Sequence, residues 1–317
     1  MRRAVAAFVL GAAALAAQAS AEPEEFAAIS APATPEQFFM SRSGTLAGAV
    51  CADKKLRLWS LPDGKPLREF DLGPRSFAAL SGDGQWVAAA DFEGDVRLWN
   101  AGTGAEQMHL RLPMRPSAMA LSADGRRFAI APVSQPVQVY DTATGNKLFE
   151  LPRVVGGTTA ITFSDDVELL ATGDADTSVR IFDARSGAML DHNTDFLLEP
   201  FAVAFTPDRK HLFAGGADKT IIQIDIALGE VVRKSTRTAD PIGVLDVSPD
   251  GRLVAAALMH ADGFSVPAPV LVSEVATGKQ VQQWLPPSAP IGGGWTSDGH
   301  LIAATLARDS IRLWRIR

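Results

Sequence analysis

The chain has 317 residues, 47% of them hydrophobic and 21% charged, with a formal net charge of −6. A mildly acidic chain without a basic tract argues against nucleic acid and against anionic membrane surfaces as partners. Cys51 is the single cysteine, which excludes an internal disulfide. Stability must therefore come from a core, in which Cys51 is read as a small buried hydrophobe.

Residues 1–21 have the grammar of a secretory signal. Arg2 and Arg3 give a positive start, Ala4 to Ala17 form an apolar stretch, and Ala19-Ser20-Ala21 is a small-x-small cleavage site. The apolar stretch is shorter than the roughly 20 residues that span a bilayer. No cysteine lies near the cleavage site, which argues against a lipid anchor. The expectation is a secreted chain, in a bacterial periplasm, that starts near Glu22 and is not inserted in a membrane. Residues 22–317 are enough for one large domain.

After the signal, Glu24-Glu-Phe-Ala-Ala-Ile-Ser30 has strand-like character and no local partner. Ala31 to Pro35 reads as a linker. From there the sequence repeats itself. One landmark is a bulky residue at Trp59, Trp99, Tyr140, Phe182, Ile224 and Trp314, with Ser273 in the same place, spaced 40, 41, 42, 42, 49 and 41 residues apart. A glycine follows five residues later in the first six copies, at Gly64, Gly104, Gly145, Gly187, Gly229 and Gly278. The second landmark is a turn: SRSG (41–44), SGDG (81–84), SADG (122–125), SDDV (164–167), TPDR (206–209), SPDG (248–251) and TSDG (296–299). Two independent landmarks keep one period through seven copies, the signature of a repeat architecture.

Each copy has the same internal order. An alternating run such as Phe201-Ala-Val-Ala-Phe205 leads into the Ser-x-Asp-Gly turn. An alanine-rich run such as Leu253-Val-Ala-Ala-Ala-Leu258 follows, then a polar turn. Next come the run ending at the bulky position, the glycine turn, and a last strand such as Lys147-Leu-Phe-Glu-Leu151. That makes four strands per copy. Alternation with a period of two supports strands. Asp and Gly supply the turn chemistry, since Gly takes positive φ without steric cost. The alanine runs are too short for stable helices. They read as buried second strands whose small side chains leave room for bulky neighbours.

Four-stranded units of about 40 residues with Trp-Asp-like endings resemble the WD40 repeat family of β-propellers. The endings here are Trp59-Ser60, Trp99-Asn100, Tyr140-Asp141, Phe182-Asp183, Ile224-Asp225, Ser273-Glu274 and Trp314-Arg315. The resemblance covers essentially the whole of residues 22–317. It implies an all-β, seven-bladed propeller of four-stranded antiparallel blades. The family's Gly-His pair before the first strand is absent throughout, so the His–Asp network it supports is missing. The Asp before the Trp strand survives only at Asp53, Asp176 and Asp218. The seventh copy ends at Arg317, directly after its third strand. Residues 24–30 are expected to supply its fourth, so that no unpaired edge remains.

No catalytic constellation emerges. His109, His192, His211, His260 and His300 sit in different repeats without metal-ligand spacing, and no cofactor or metal site is expected. "DTATGNK" (141–147) and "SEVATGKQ" (273–280) are similar to turns of quinone-cofactor propeller enzymes. Those enzymes place a tryptophan where this chain has Glu150 and Gln282. The turn reads instead as a device joining the last two strands of a blade. Gly292-Gly-Gly294 opens the first strand of the last copy, where it either lets a ligand approach the backbone or relieves crowding near the axis.

Binding candidates lie in the connections between copies, which should open on one face. They carry Arg75, Arg115 and Arg153 early and Glu199 and Asp240 later, with Met114 and Phe196 as exposed apolar candidates. The lengthened turn "MHADGFSVPAPV" (259–270) adds His260, Asp262 and Phe264, as a partner-binding loop or a tolerated insertion. Asp246 is a candidate channel residue or a hydrogen-bonded structural acid. The sequence points to a monomeric, non-catalytic scaffold for a protein partner. The alternative is a propeller enzyme or small-ligand sensor with its site at the central channel mouth.

Overall fold

The computed structural model describes residues 23–259, 267–288, 290–307 and 310–316. The expected signal, residues 1–21, lies outside the described residues. The described residues form seven four-stranded antiparallel sheets arranged as a β-propeller. Blade 1 shows the pattern: Pro35–Met40 is innermost, followed outward by Leu46–Cys51, Lys55–Ser60 and Lys65–Asp71. The innermost strands of blades 2 to 7 are Phe77–Leu80, Pro116–Leu121, Thr158–Phe163, Pro200–Phe205, Ile242–Val247 and Pro290–Trp295.

The core lies between the blades. One cluster packs Val50, Leu56, Leu58 and Phe70 of blade 1 against Val87, Ala89 and Trp99 of blade 2. The Phe70 and Trp99 rings stack there with centroids 4.7 Å apart. The next joins Ala88, Val96 and Leu98 to Phe128, Ile130 and Tyr140 of blade 3. The same arrangement recurs round the ring, until Ile302, Ala304, Ile311 and Leu313 of blade 7 meet Phe38, Ala47, Ala49 and Trp59 of blade 1. The alanine runs behave as their sequence suggests. Ala47, Ala88, Ala129, Ala171, Ala214 and Ala304 are fully buried second-strand residues. The aromatic of the neighbouring blade fills the room they leave.

The Ser-x-Asp-Gly landmark is a hydrogen-bonded unit. In blade 2 the Ser81 hydroxyl donates to Asp83 Oδ1 (2.6 Å) and accepts from the Trp86 N–H (3.0 Å). Asp83 Oδ1 also accepts the Gln85 N–H (2.9 Å). Ser122–Asp124, Ser164–Asp166, Thr206–Asp208 and Ser248–Asp250 repeat the hydroxyl–carboxylate bond. The last turn residue needs positive φ. Gly84 adopts it at +73°, and Val167 and Arg209 are forced to it at +61° and +58°, an uncommon state for residues with a Cβ.

The first strand closes the ring. Glu24–Ser30 pairs antiparallel with Ser310–Ile316, with Ile29 opposite Ile311 and Glu24 opposite Arg315. Ile29 is fully buried, and Arg312 reaches Glu25 at 3.1 Å. The linker is shorter than expected, because Pro35 already belongs to the inner strand of blade 1 and Ala31 is buried.

This packing generates three stability predictions. Ile29→Ala should cost about 3 kcal/mol by opening a cavity under the closing strand. A chain lacking residues 22–31 should melt many degrees lower, and unchanged melting in calorimetry would mean the ring does not depend on this strand. Ala88→Leu should cost about 1–3 kcal/mol by overpacking the interface between blades 2 and 3, read as a lower denaturant midpoint.

Candidate functional site

Strand alternation sorts the loops onto two ends of the ring. The Ser-x-Asp-Gly turns and the glycine turns share one end. The connections between blades and the turns between second and third strands share the other. The two ends differ chemically.

At the turn end many of the polar groups satisfy one another. Asp141 accepts the Thr144 N–H and hydroxyl, both at 2.8 Å, and Asp183 accepts the Ser186 N–H and hydroxyl, both at 2.7 Å. These hydroxyl bonds hold both carboxyls below their ordinary range. The Asp-x-x-Thr-Gly sequence is thus occupied in closing its own turn. Leu228 is exposed at this end, and Met189 is exposed just after the blade 4 glycine turn.

The connection end is oily and charged. Met114 is 46% exposed between blades 2 and 3, Val155 85% between blades 3 and 4, and Leu197 and Leu198 78% and 50% between blades 4 and 5. Phe92, in the blade 2 turn "DFEG", is 41% exposed. Arg115 lies over its ring at 5.0 Å and Arg75 at 5.9 Å from the centroid. Both distances are within reach of cation–π attraction. Arg75 holds this place with a backbone φ of +54°. Arg75, Arg115 and Arg153 are exposed, and none has an ion pair among the described residues. Glu199 is exposed and Asp240 half-buried further round. The cationic and acidic connections therefore occupy different sectors of one rim.

Phe196 corrects the sequence reading. It is 4% exposed and packs between blades 4 and 5 with Ile181 and Val203. An aromatic ring at the start of that connection fills the interface, and the two leucines after it are pushed to the surface. His260, Asp262 and Phe264 lie outside the described residues. Cys51 is buried, and burial pushes its thiol up.

The channel holds a group that the sequence reading missed. Arg42, in the SRSG turn of blade 1, crosses the axis. Its guanidinium is 3.1 Å from Asp165 of blade 4 and 3.5 Å from Asp246 of blade 6. Asp246 also accepts the Val247 N–H at 2.9 Å and the Trp295 N–H at 2.7 Å. Burial pushes its carboxyl above the usual range, against the pull of Arg42. Asp246 is thus both a channel residue and a hydrogen-bonded acid. Arg42 and Asp165 were discoverable. At the second turn position the other copies have Gly82, Ala123, Pro207, Pro249 and Ser297, so two opposite charges stand out.

The Gly292–Gly294 strand answers the question of crowding. A Cβ on Gly292 would lie 2.0 Å from the Phe38 carbonyl oxygen, and one on Gly293 2.2 Å from that of Ile302. Blade 1 at Gly292, and the second strand of blade 7 itself at Gly293, therefore leave no room for a side chain.

Comparison with known proteins agrees with this architecture. A family model described as "WD domain, G-beta repeat" matches residues 64–100, 153–183 and 191–225. The chain is 26% identical over 144 residues to the WD repeat-containing protein SL1-17 of Schistosoma mansoni, covering 44% of this chain and 48% of that one. It is 28% identical over 134 residues to the uncharacterized WD repeat-containing protein sll1491 of Synechocystis sp. (strain ATCC 27184 / PCC 6803 / Kazusa), covering 41% and 38%. The chain thus spans about half or less of the length of these curated relatives.

The raised Asp246 carboxyl predicts a pH effect. An unfolded aspartate titrates near pH 3.9. In the folded chain Asp246 titrates higher, so the stability it contributes is fully present below about pH 4 and is lost as pH rises through the folded value. Asp246→Asn removes that dependence. Its stability relative to the parent should rise across this window, as read from denaturant midpoints at a series of pH values. Parallel curves would contradict the assignment.

Proposed function

The chain is a WD40-repeat β-propeller, and from that premise we propose that it is a monomeric, non-catalytic platform for a protein partner, which docks on the connection end of the ring. The observation that carries this reading is the contrast between the two ends. Phe92, Met114, Val155, Leu197 and Leu198 expose apolar surface across neighbouring blades on one rim, among three exposed arginines that have no ion pair among the described residues. Such a combination fits an interface: apolar and arginine side chains dominate binding hot spots, and charge of one sign steers a partner of the other. The partner expected on the Arg75–Arg115–Arg153 sector is acidic. Among the described residues, the turns at the opposite end offer no comparable surface.

The proposal includes export. The Arg2-Arg3 start, the alanine-rich stretch and the Ala19-Ser20-Ala21 site support a periplasmic or secreted chain. Mass spectrometry of the chain from its source should find a mature N terminus at Glu22. An unprocessed chain held in the cytoplasm would remove this part of the reading.

The docking face is tested by affinity capture with paired variants. The wild-type chain should retain a stoichiometric protein. Arg75→Glu, Arg115→Glu and Met114→Glu together should weaken retention by at least about tenfold, given hot-spot costs of 1–2 kcal/mol or more, with melting unchanged. Leu228→Asp, at the opposite end, should retain the partner. Retention lost through Leu228 and kept in the triple variant would place docking on the other end.

A further inference from the structure

A cavity of about 360 Å³ lies between blades 6 and 7, within the size range of small-molecule pockets. Val244, Leu258, Met259 and Val270 of blade 6 form one side, and Ile291 and Ile302 of blade 7 the other. Gly292–Gly294 runs along it. The backbone φ values of Gly292 and Gly293, +154° and +149°, belong to a region that is essentially glycine-only. The close carbonyl oxygens of Phe38 and Ile302 bar side chains there. The chain itself therefore cannot fill this space from its inner strand. Unfilled apolar walls forfeit dispersion contacts that an occupant of matching shape would restore.

Among the described residues the wall has one charged group. The seven innermost strands carry two ionisable side chains, Glu36 and Asp246, and Asp246 lines the cavity. Its charge is incompletely matched. Arg42 is shared by two carboxylates and lies nearer to Asp165, which leaves the trio with one net negative charge. Each Asp246 oxygen accepts one backbone N–H, so lone pairs remain. Gln37, the other polar side chain of the wall, is committed at both ends to Ala78.

We propose that this cavity binds a small lipophilic amine, with the apolar body between blades 6 and 7 and the ammonium group on Asp246. A carboxylate ligand would meet like charge. A neutral ligand would leave the Asp246 charge unmatched in a largely apolar wall, where a charge-assisted bond is stronger than a neutral one. The site is distinct from the docking rim and does not depend on it.

The test is calorimetric titration with three probes of one shape: 4-phenylbutylamine, 4-phenylbutanol and 4-phenylbutyrate. The amine should bind at least about tenfold tighter than the alcohol, as expected for a hydrogen bond to a charged group, and the acid should not bind. Asp246→Asn should remove the preference for the amine while leaving alcohol binding within about twofold. Ala257→Leu, which fills the cavity from the second strand of blade 6, should weaken both the amine and the alcohol. Thermal melting establishes that each variant is folded. Equal binding of amine and alcohol, no binding of the amine, or amine binding unaffected by both substitutions would overturn the proposal. An acetyl-Gly-Lys-Gly amide peptide carries the same ammonium on a partner-like chain. If it bound as tightly as the amine, the occupant would be a lysine side chain and the small-molecule assignment would fail.

Discussion

Each sheet of this protein has two apolar faces, and the surface that covers them is the neighbouring sheet. Trp99 lies against Phe70 of the preceding blade, and Tyr140 and Phe128 lie against Ala88 and Leu98. Burial is non-directional and grows with area, so a stack of such sheets gains at every step and leaves a bare face at each end. Closing the stack into a ring removes both bare faces. Residues 24–30 complete that closure, because the seventh blade would otherwise lack its outer strand. A segment at the start of the chain and one at its end are thereby held together by backbone hydrogen bonds. Loss of that pairing would be felt at the interface of blades 7 and 1, where Ile29 joins Ile311, Leu313 and Trp59.

A rigid ring separates two tasks. The turn end uses its polar side chains on itself, so that Ser, Thr and Asp fix the hairpins and leave little that is reactive. The connection end is free of that duty. Its residues can vary without disturbing the core, and here they include Phe92 between two arginines and a run of exposed apolar side chains. Blade 4, which lacks a His–Asp network, uses arginine instead. Arg180 bonds both Asp174 and Asp176 at 2.6 Å, and Asp174 also accepts the Thr158 and Thr172 hydroxyls. The fully buried carboxylate of Asp174 is thus paired and hydrogen-bonded, which is the condition under which burial of charge is tolerated.

The channel differs from both ends. It is walled mainly by small and apolar residues of the inner strands, and at the turn end Arg42, Asp165 and Asp246 meet in it. Arg42 ties blades 1, 4 and 6 together across the axis. The glycine strand of blade 7 yields to the close approach of blade 1 on one side and leaves space against blade 6 on the other.

The repeat was written in the sequence because its causes are local. Turn geometry selects Ser, Asp and Gly at fixed offsets, and two-residue alternation marks strands, so seven copies, four strands each and the orphan strand at residues 24–30 could be counted from the chain alone. Arg75, Arg115 and Met114 were legible as loop residues for the same reason. Phe196 was not, because whether an aromatic at the start of a connection turns inward depends on the gap between blades 4 and 5. Phe92 was not legible either, since its value lies in Arg75 and Arg115, which come from other loops. Arg42, Asp165 and Asp246 are separated by more than 200 residues of chain from first to last, and no local rule pairs them. What the sequence by itself determined was the unit and its number, set by short-range turn and strand chemistry. What only the tertiary structure decided was which side chains of different units meet, because the ring brings together residues that are far apart along the chain.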